Sequence, residues 1–183
     1  MAEVELTFTD LTTMQVDAIV CPAHKHLTRG RGLSASIFDC AGPELSVACD
    51  QQEVCRVGDA CITKGFKLPA AWVIHTVTPQ WSGGDQWGGS DLGLLRQCYQ
   101  RVFQVARENG IKSLAVPALG AGTNKAPHLL SARVGLEAVK PVLQDFDAVY
   151  FCLHSNQAME DWSSAYRQLF QANSVQAGAS VLH

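Results

Sequence analysis

The stretch VDAIVCPAHKHLTRGRGLSASIFDCAGPEL, residues 16–45, decides the fold. Its first eight residues, VDAIVCPA (16–23), form an almost unbroken apolar run. Such a run marks a strand buried on both faces, as in parallel sheets covered by helices on either side. The Gly/Arg segment TRGRG (28–32) then breaks regular structure. A short helix is expected from Leu33 to Ala41 and another from about Glu44. A buried strand leading through a glycine loop into a helix is the repeating half of an α/β domain.

The flanking sequence repeats the alternation. VELTF (4–8) alternates apolar and polar residues, as a half-buried strand does, and DACITKG (59–65) and AWVIHTVTP (71–79) predict two more strands. WSGGDQWGGSD (81–91) has loop composition, with Ser90 placed to cap the helix LGLLRQCYQRVFQVAREN (92–109), and Gly110 lies where a C-terminal cap belongs. SLAVPAL (113–119) predicts a buried strand, GAGTNKAP (120–127) a turn-rich loop and HLLSARVGLEAVKPVLQ (128–144) a helix that Pro141 must kink or restart. DAVYFCL (147–153) is the last strand and Ala158 to Phe170 the last helix, followed by a small, polar tail from Asn173. The fold class expected is α/β: one three-layer α/β/α sandwich over residues 1–172 with a mixed, mostly parallel central sheet, and 173–183 as a tail.

Composition narrows the function. With 14 Lys/Arg against 17 Asp/Glu and no basic run, generic nucleic-acid binding is not expected. No apolar stretch is long enough to span a membrane. MAEVELTFTDLTT lacks the basic and apolar regions of a signal peptide. Seven cysteines, an odd number without a C-x-x-C, read as reduced thiols of a cytoplasmic protein. His24 and His26 alone do not make a metal site, and no cofactor is called for.

In α/β sheets ligands bind beyond the C-terminal ends of the strands, which selects the segments after residues 8, 23, 78, 119 and 153. There the chain resembles a known family. Residues 16–45, GDACITKGFKLPAAWVIHTVTPQW, SLAVPALGAGTNKAP and DAVYFCLHSNQ resemble the blocks of the macro domain, and the similarity runs over roughly residues 4 to 170. The resemblance implies a pocket for ADP-ribose or a related nucleotide, free or protein-linked.

It also implies roles residue by residue. Asp10 would read the adenine amino group with the Leu11 backbone N–H in support, although Asp is equally at home in a turn or cap. His154, with Asn156 a weaker candidate, would pack on the adenine face. Gly120, Ala121 and Gly122, with Thr123 and Asn124 beside them, offer consecutive N–H groups of the sort that bind phosphate. Lys125 could add charge. Gly32 and Leu33 belong to the opposing phosphate loop.

That first loop departs from the family's hydrolase pattern. His24 replaces the distal-ribose Asn, and Ser34 replaces the acid that orients water. A carboxylate base is therefore missing, and a positioned acid or base contributes about 10²–10⁴-fold. An imidazole suits acid–base work near neutrality, which makes His24 the candidate catalytic residue. Cys21, three residues earlier, is either a thiol nucleophile or a buried strand-end thiol. Arg29 and Arg31 replace glycines: they offer bidentate contacts to phosphate or sit on the surface. His75 is expected in the core, bonded to backbone, His128 at an exposed helix start, Trp72 in the core, and Trp81 and Trp87 at a cleft rim. Three readings follow: a binding module for ADP-ribose or a derivative, a hydrolase of ADP-ribosyl or O-acyl-ADP-ribose bonds with rewired residues, or a scaffold for a protein partner.

Overall fold

The computed structural model describes residues 3–81, 85–122 and 124–171. Thr123, the tail from Asn173 and the side chain of Trp87 lie outside that description. Six strands form one sheet: β1 (Glu3–Thr7), β2 (Ala18–Pro22), β3 (Ala60–Lys64), β4 (Trp72–Thr76), β5 (Ser113–Pro117) and β6 (Ala148–Cys152). Their order across the sheet is β1-β6-β5-β2-β4-β3. All neighbours are parallel except β3 against β4, so the sheet is mixed and mostly parallel, as expected.

The apolar runs explain the layering. Successive residues of a strand point to opposite faces, and each face has its own core. Ala18, Val20, Leu114, Val116, Val149 and Phe151 pack with residues of α3 (Asp85–Glu108), α4 (His128–Val139) and α5 (Asn156–Tyr166). Ile19, Cys21, Ala115 and Cys152 pack on the other face with Ile37 and Phe38 of α1 (Leu33–Ala41) and Leu45 of α2 (Pro43–Asp50). A strand that serves two cores has no polar face, which is why residues 16–23 read as a continuous run.

Element ends differ from expectation at several places. The helix α3 starts at Asp85, so 85–91 are not loop and Ser90 lies inside the helix. The long amphipathic stretch behind Asp85 propagates through Gly88 and Gly89 despite their cost of about 1 kcal/mol each. The helix α5 starts at Asn156 because the Ser155 hydroxyl accepts the Ala158 N–H, a cap the apolar periodicity does not reveal. The strand β1 ends at Thr7, leaving Phe8 exposed. Pro141 restarts the chain: α4 ends at Val139 and a 3₁₀ turn runs from Lys140 to Asp145.

Candidate functional site

A cleft of about 1070 Å³ crosses the C-terminal ends of the parallel strands. Its walls follow the sheet order. Cys152 to Ser155 stand at the β6 end, Pro117, Ala118 and Gly120 to Gly122 beyond β5, Pro22 to His26 beyond β2, Val77 and Thr78 beyond β4, and Val57 beside Val77 at the far end. Four of the chain's six histidines line it (His24, His26, His128 and His154), as do Lys25 and Arg31. No lining residue among those described is a carboxylate. In a chain with an excess of acidic residues, that distribution marks a site for an anion.

Two backbone segments line the cleft. The first is the N-terminus of α1. Gly32 caps it at φ +58° and offers no side-chain hydrogen bond, so the first N–H groups of the helix point at the cleft unanswered by a cap. Ser34 lies in this first turn, only 3 % exposed, with the Cys21 thiol donating to its hydroxyl at 3.7 Å.

The second is the loop after β5. Gly120 adopts φ +77°, a conformation that costs a side-chain-bearing residue about 1–2 kcal/mol. A closed hydrogen-bond ring holds the residue before it. The Leu119 N–H donates to the Tyr99 hydroxyl at 2.9 Å, and that hydroxyl meets Ser131 Oγ at 2.6 Å. Ser131 Oγ in turn donates to the Leu119 carbonyl at 2.6 Å. All three residues are buried. Asn124 clasps the loop to the opposite wall, donating to the Thr78 carbonyl at 3.1 Å and hydroxyl at 2.7 Å.

Asp10 stands at the β1/β6 end, outside the cleft lining, and caps a 3₁₀ turn over Leu11–Thr13. The Thr12 hydroxyl and N–H both donate to Oδ1, at 2.7 and 2.9 Å. Those two bonds hold the carboxyl below its usual range, with a smaller contribution from nearby His154. The side chain of Leu11 is fully buried beneath.

His24 lines the cleft and its imidazole rests on Gly30. A Cβ at residue 30 would come within 2.6 Å of Cδ2 and Nε2. Gly30 at φ +64° is thus the seat of the ring. The two arginines separate. Arg31 lines the cleft, whereas Arg29 lies outside it in a bidentate pair with Asp39 at 2.8 Å. Burial pushes the Cys21 thiol up to about 12, so it is protonated at neutral pH and packs as a strand-end thiol. His75 is buried and shares a hydrogen bond with the Thr63 hydroxyl at 2.9 Å, a side-chain partner where a backbone one was expected. Burial lowers its pKa to about 4. Trp72 and Trp81 pack, partly buried, on the core formed by α3, α4 and α5.

Gln80 and Val57 line the cleft without having been singled out in the sequence, and His128, expected at an exposed helix start, is partly buried and lines it as well. His128 opens the helix after the second glycine loop, the one local sign that it faces the same space. Among the described residues no group of three His, Cys, Asp or Glu side chains could hold a metal ion, and no helix is long and apolar enough to cross a membrane.

Comparison with known proteins adds independent findings. A family model described as Macro domain matches residues 20–135. A macro domain-containing protein of Ralstonia nicotianae is 38 % identical over 80 % of this chain and 84 % of its own length. An O-acetyl-ADP-ribose deacetylase of an Enterobacter species is 33 % identical over 96 % of both chains. Among solved structures, a macrodomain of Oceanobacillus iheyensis with ADP superposes with a TM-score of 0.84, at 27 % identity over 92 % of each chain.

Proposed function

The chain belongs to the macro domain family, and on that premise we propose that it is a binding module for ADP-ribose or a close derivative, free or attached to a protein. One observation carries the reading. Two backbone segments line a cleft that has no carboxylate in its lining: Gly32–Ser34, a helix start without a side-chain cap, and Gly120–Gly122, a glycine turn with Gly120 at φ +77°. A helix N-terminus and a concave glycine turn are the backbone's own anion receptors. Together they suit a diphosphate.

The flanking residues give the ligand a direction. Asp10 Oδ1 is occupied by Thr12, which leaves Oδ2 to accept an exocyclic amine from adenine. His154 supplies a ring for its face. The diphosphate lies between the two loops, with Arg31 on its rim. The distal ribose then reaches His24. Thr123, Asn124 and Leu33 serve as loop contacts, and Arg29 stiffens the first loop through Asp39 rather than touching the ligand. The protein is taken as one domain over residues 1–172 and as cytoplasmic, which its seven free cysteines support.

Binding rather than turnover is favoured because no carboxylate lines the distal end to deprotonate a water. Hydrolysis is the second reading, favoured by His24 in the cleft and by the Enterobacter relative's activity. Calorimetric titration with ADP-ribose tests the first: saturable heat, lost in Asp10→Ala or Gly120→Val, supports it, and silence at millimolar ligand refutes it. Release of acetate from O-acetyl-ADP-ribose, abolished in His24→Ala, would replace the first reading with the second.

A further inference from the structure

Resting on that nucleotide reading, we propose that the outlet of the cleft docks an acidic peptide segment flanking the ADP-ribosylated residue of a partner protein. The strand order defines the outlet. Beyond the β4 end, the segment before β3 borders the cleft: Val57 bridges Val77, and the Gly58 N–H donates to the Val77 carbonyl at 2.9 Å. The Cys55 N–H donates to the Lys25 carbonyl at 3.0 Å, which ties this segment to the loop after β2. Lys25 and His26 line the cleft with half-exposed Val57, and exposed Arg56, outside the lining, precedes Val57 in the chain.

Lys25 and Arg56 lie beyond the diphosphate loops, so the nucleotide does not account for them. No carboxylate is within 4.0 Å of Lys25, Arg31 or Arg56 among the described residues. The acids of residues 51–59 are Glu53 and Asp59. Asp59 accepts the Ala60 N–H at 2.8 Å, the main cause of its lowered pKa, and pairs with Arg101 at 3.0 Å, with Arg56 adding a smaller pull. Lys25 and Arg56 thus form a basic collar beside Val57, on a chain whose overall charge is negative. A peptide with carboxylates on either side of the attachment point complements the collar, and a basic peptide is repelled.

The test uses the full chain and three peptides bearing ADP-ribose through the same stable linker, with acidic, neutral or basic flanks. Affinity relative to free ADP-ribose is expected to fall in that order. The acidic and basic peptides should differ roughly fivefold or more at low salt, a gap that shrinks at high salt because exposed charges are screened. The Lys25→Glu/Arg56→Glu chain should invert the order, and Arg133→Glu, on α4, should preserve it. Equal affinity for all three peptides, with free ADP-ribose still bound, would overturn the docking proposal alone. Failure to bind free ADP-ribose would remove the nucleotide reading and the docking proposal with it.

Discussion

Replacing Tyr99 with Phe removes one oxygen from the ring that fixes the second glycine loop. In the native chain that oxygen accepts the Leu119 N–H at 2.9 Å and meets Ser131 Oγ at 2.6 Å. The aromatic ring stays, so core volume and apolar burial are nearly unchanged. The Leu119 N–H, however, is left in a fully buried position without an acceptor. A stranded buried donor costs about 1–3 kcal/mol. With about 2 kcal/mol lost, the midpoint of thermal unfolding should fall by roughly 4–8 °C for a chain of this size. Leu119 immediately precedes Gly120, so the loop loses preorganisation as well, and ADP-ribose affinity should drop by roughly threefold to tenfold. Ser131→Ala breaks the same ring, so the double variant should cost clearly less than the sum of the two single ones. Circular dichroism melts and calorimetry read both effects. A Tyr99→Phe chain that melts within about 1 °C of the parent and binds equally well would refute the assigned role of the ring.

Three further outcomes follow from the site. Gly30→Ala places a Cβ 2.6 Å from the His24 ring at φ +64°, and should lower Tm by about 2–4 °C and weaken ADP-ribose binding. In a His24→Ala background only the backbone cost should persist, and an equal affinity loss in both backgrounds would exclude the contact. The folded-state pKa of Asp10 is depressed, chiefly by the Thr12 hydroxyl, so its carboxylate is lost only as pH falls below the ordinary ~3.9. Preference for ADP-ribose over its inosine counterpart should therefore stay flat from pH 8 to 5 and vanish in Asp10→Ala, whereas a decline beginning near pH 6 would assign the preference to another group. Cys21, pushed up to about 12 by burial, should escape a thiol reagent in the folded chain while exposed Cys40 reacts, and prompt labelling of Cys21 by mass spectrometry would revive the nucleophile.

The sheet was legible because strands buried on both faces write an unmistakable signal. Residues 16–23, 113–119 and 147–153 have no polar face to confuse the reading. The start of α3 was hidden because Gly88, Gly89 and two further glycines give residues 81–91 the composition of a loop, while helix propagation is a property of the longer segment. Cleft residues contributed by loop ends were legible only near glycine motifs. Gly120 announces itself, whereas Val57 and Gln80 join the cleft through tertiary placement that local sequence does not encode. Arg29 and Arg31 share a motif and a chemistry, yet the reach of Arg29 to Asp39, ten residues on, separates their surroundings. Spacing carries no information about such a partner.

A crystal structure with bound ADP-ribose tests the central claim most directly. The account predicts adenine at the β1/β6 end beside Asp10 and His154, the diphosphate between Gly32–Ser34 and Gly120–Gly122, and the distal ribose at His24, open toward Val57. Ligand density in the reverse orientation, or outside this cleft altogether, would contradict it.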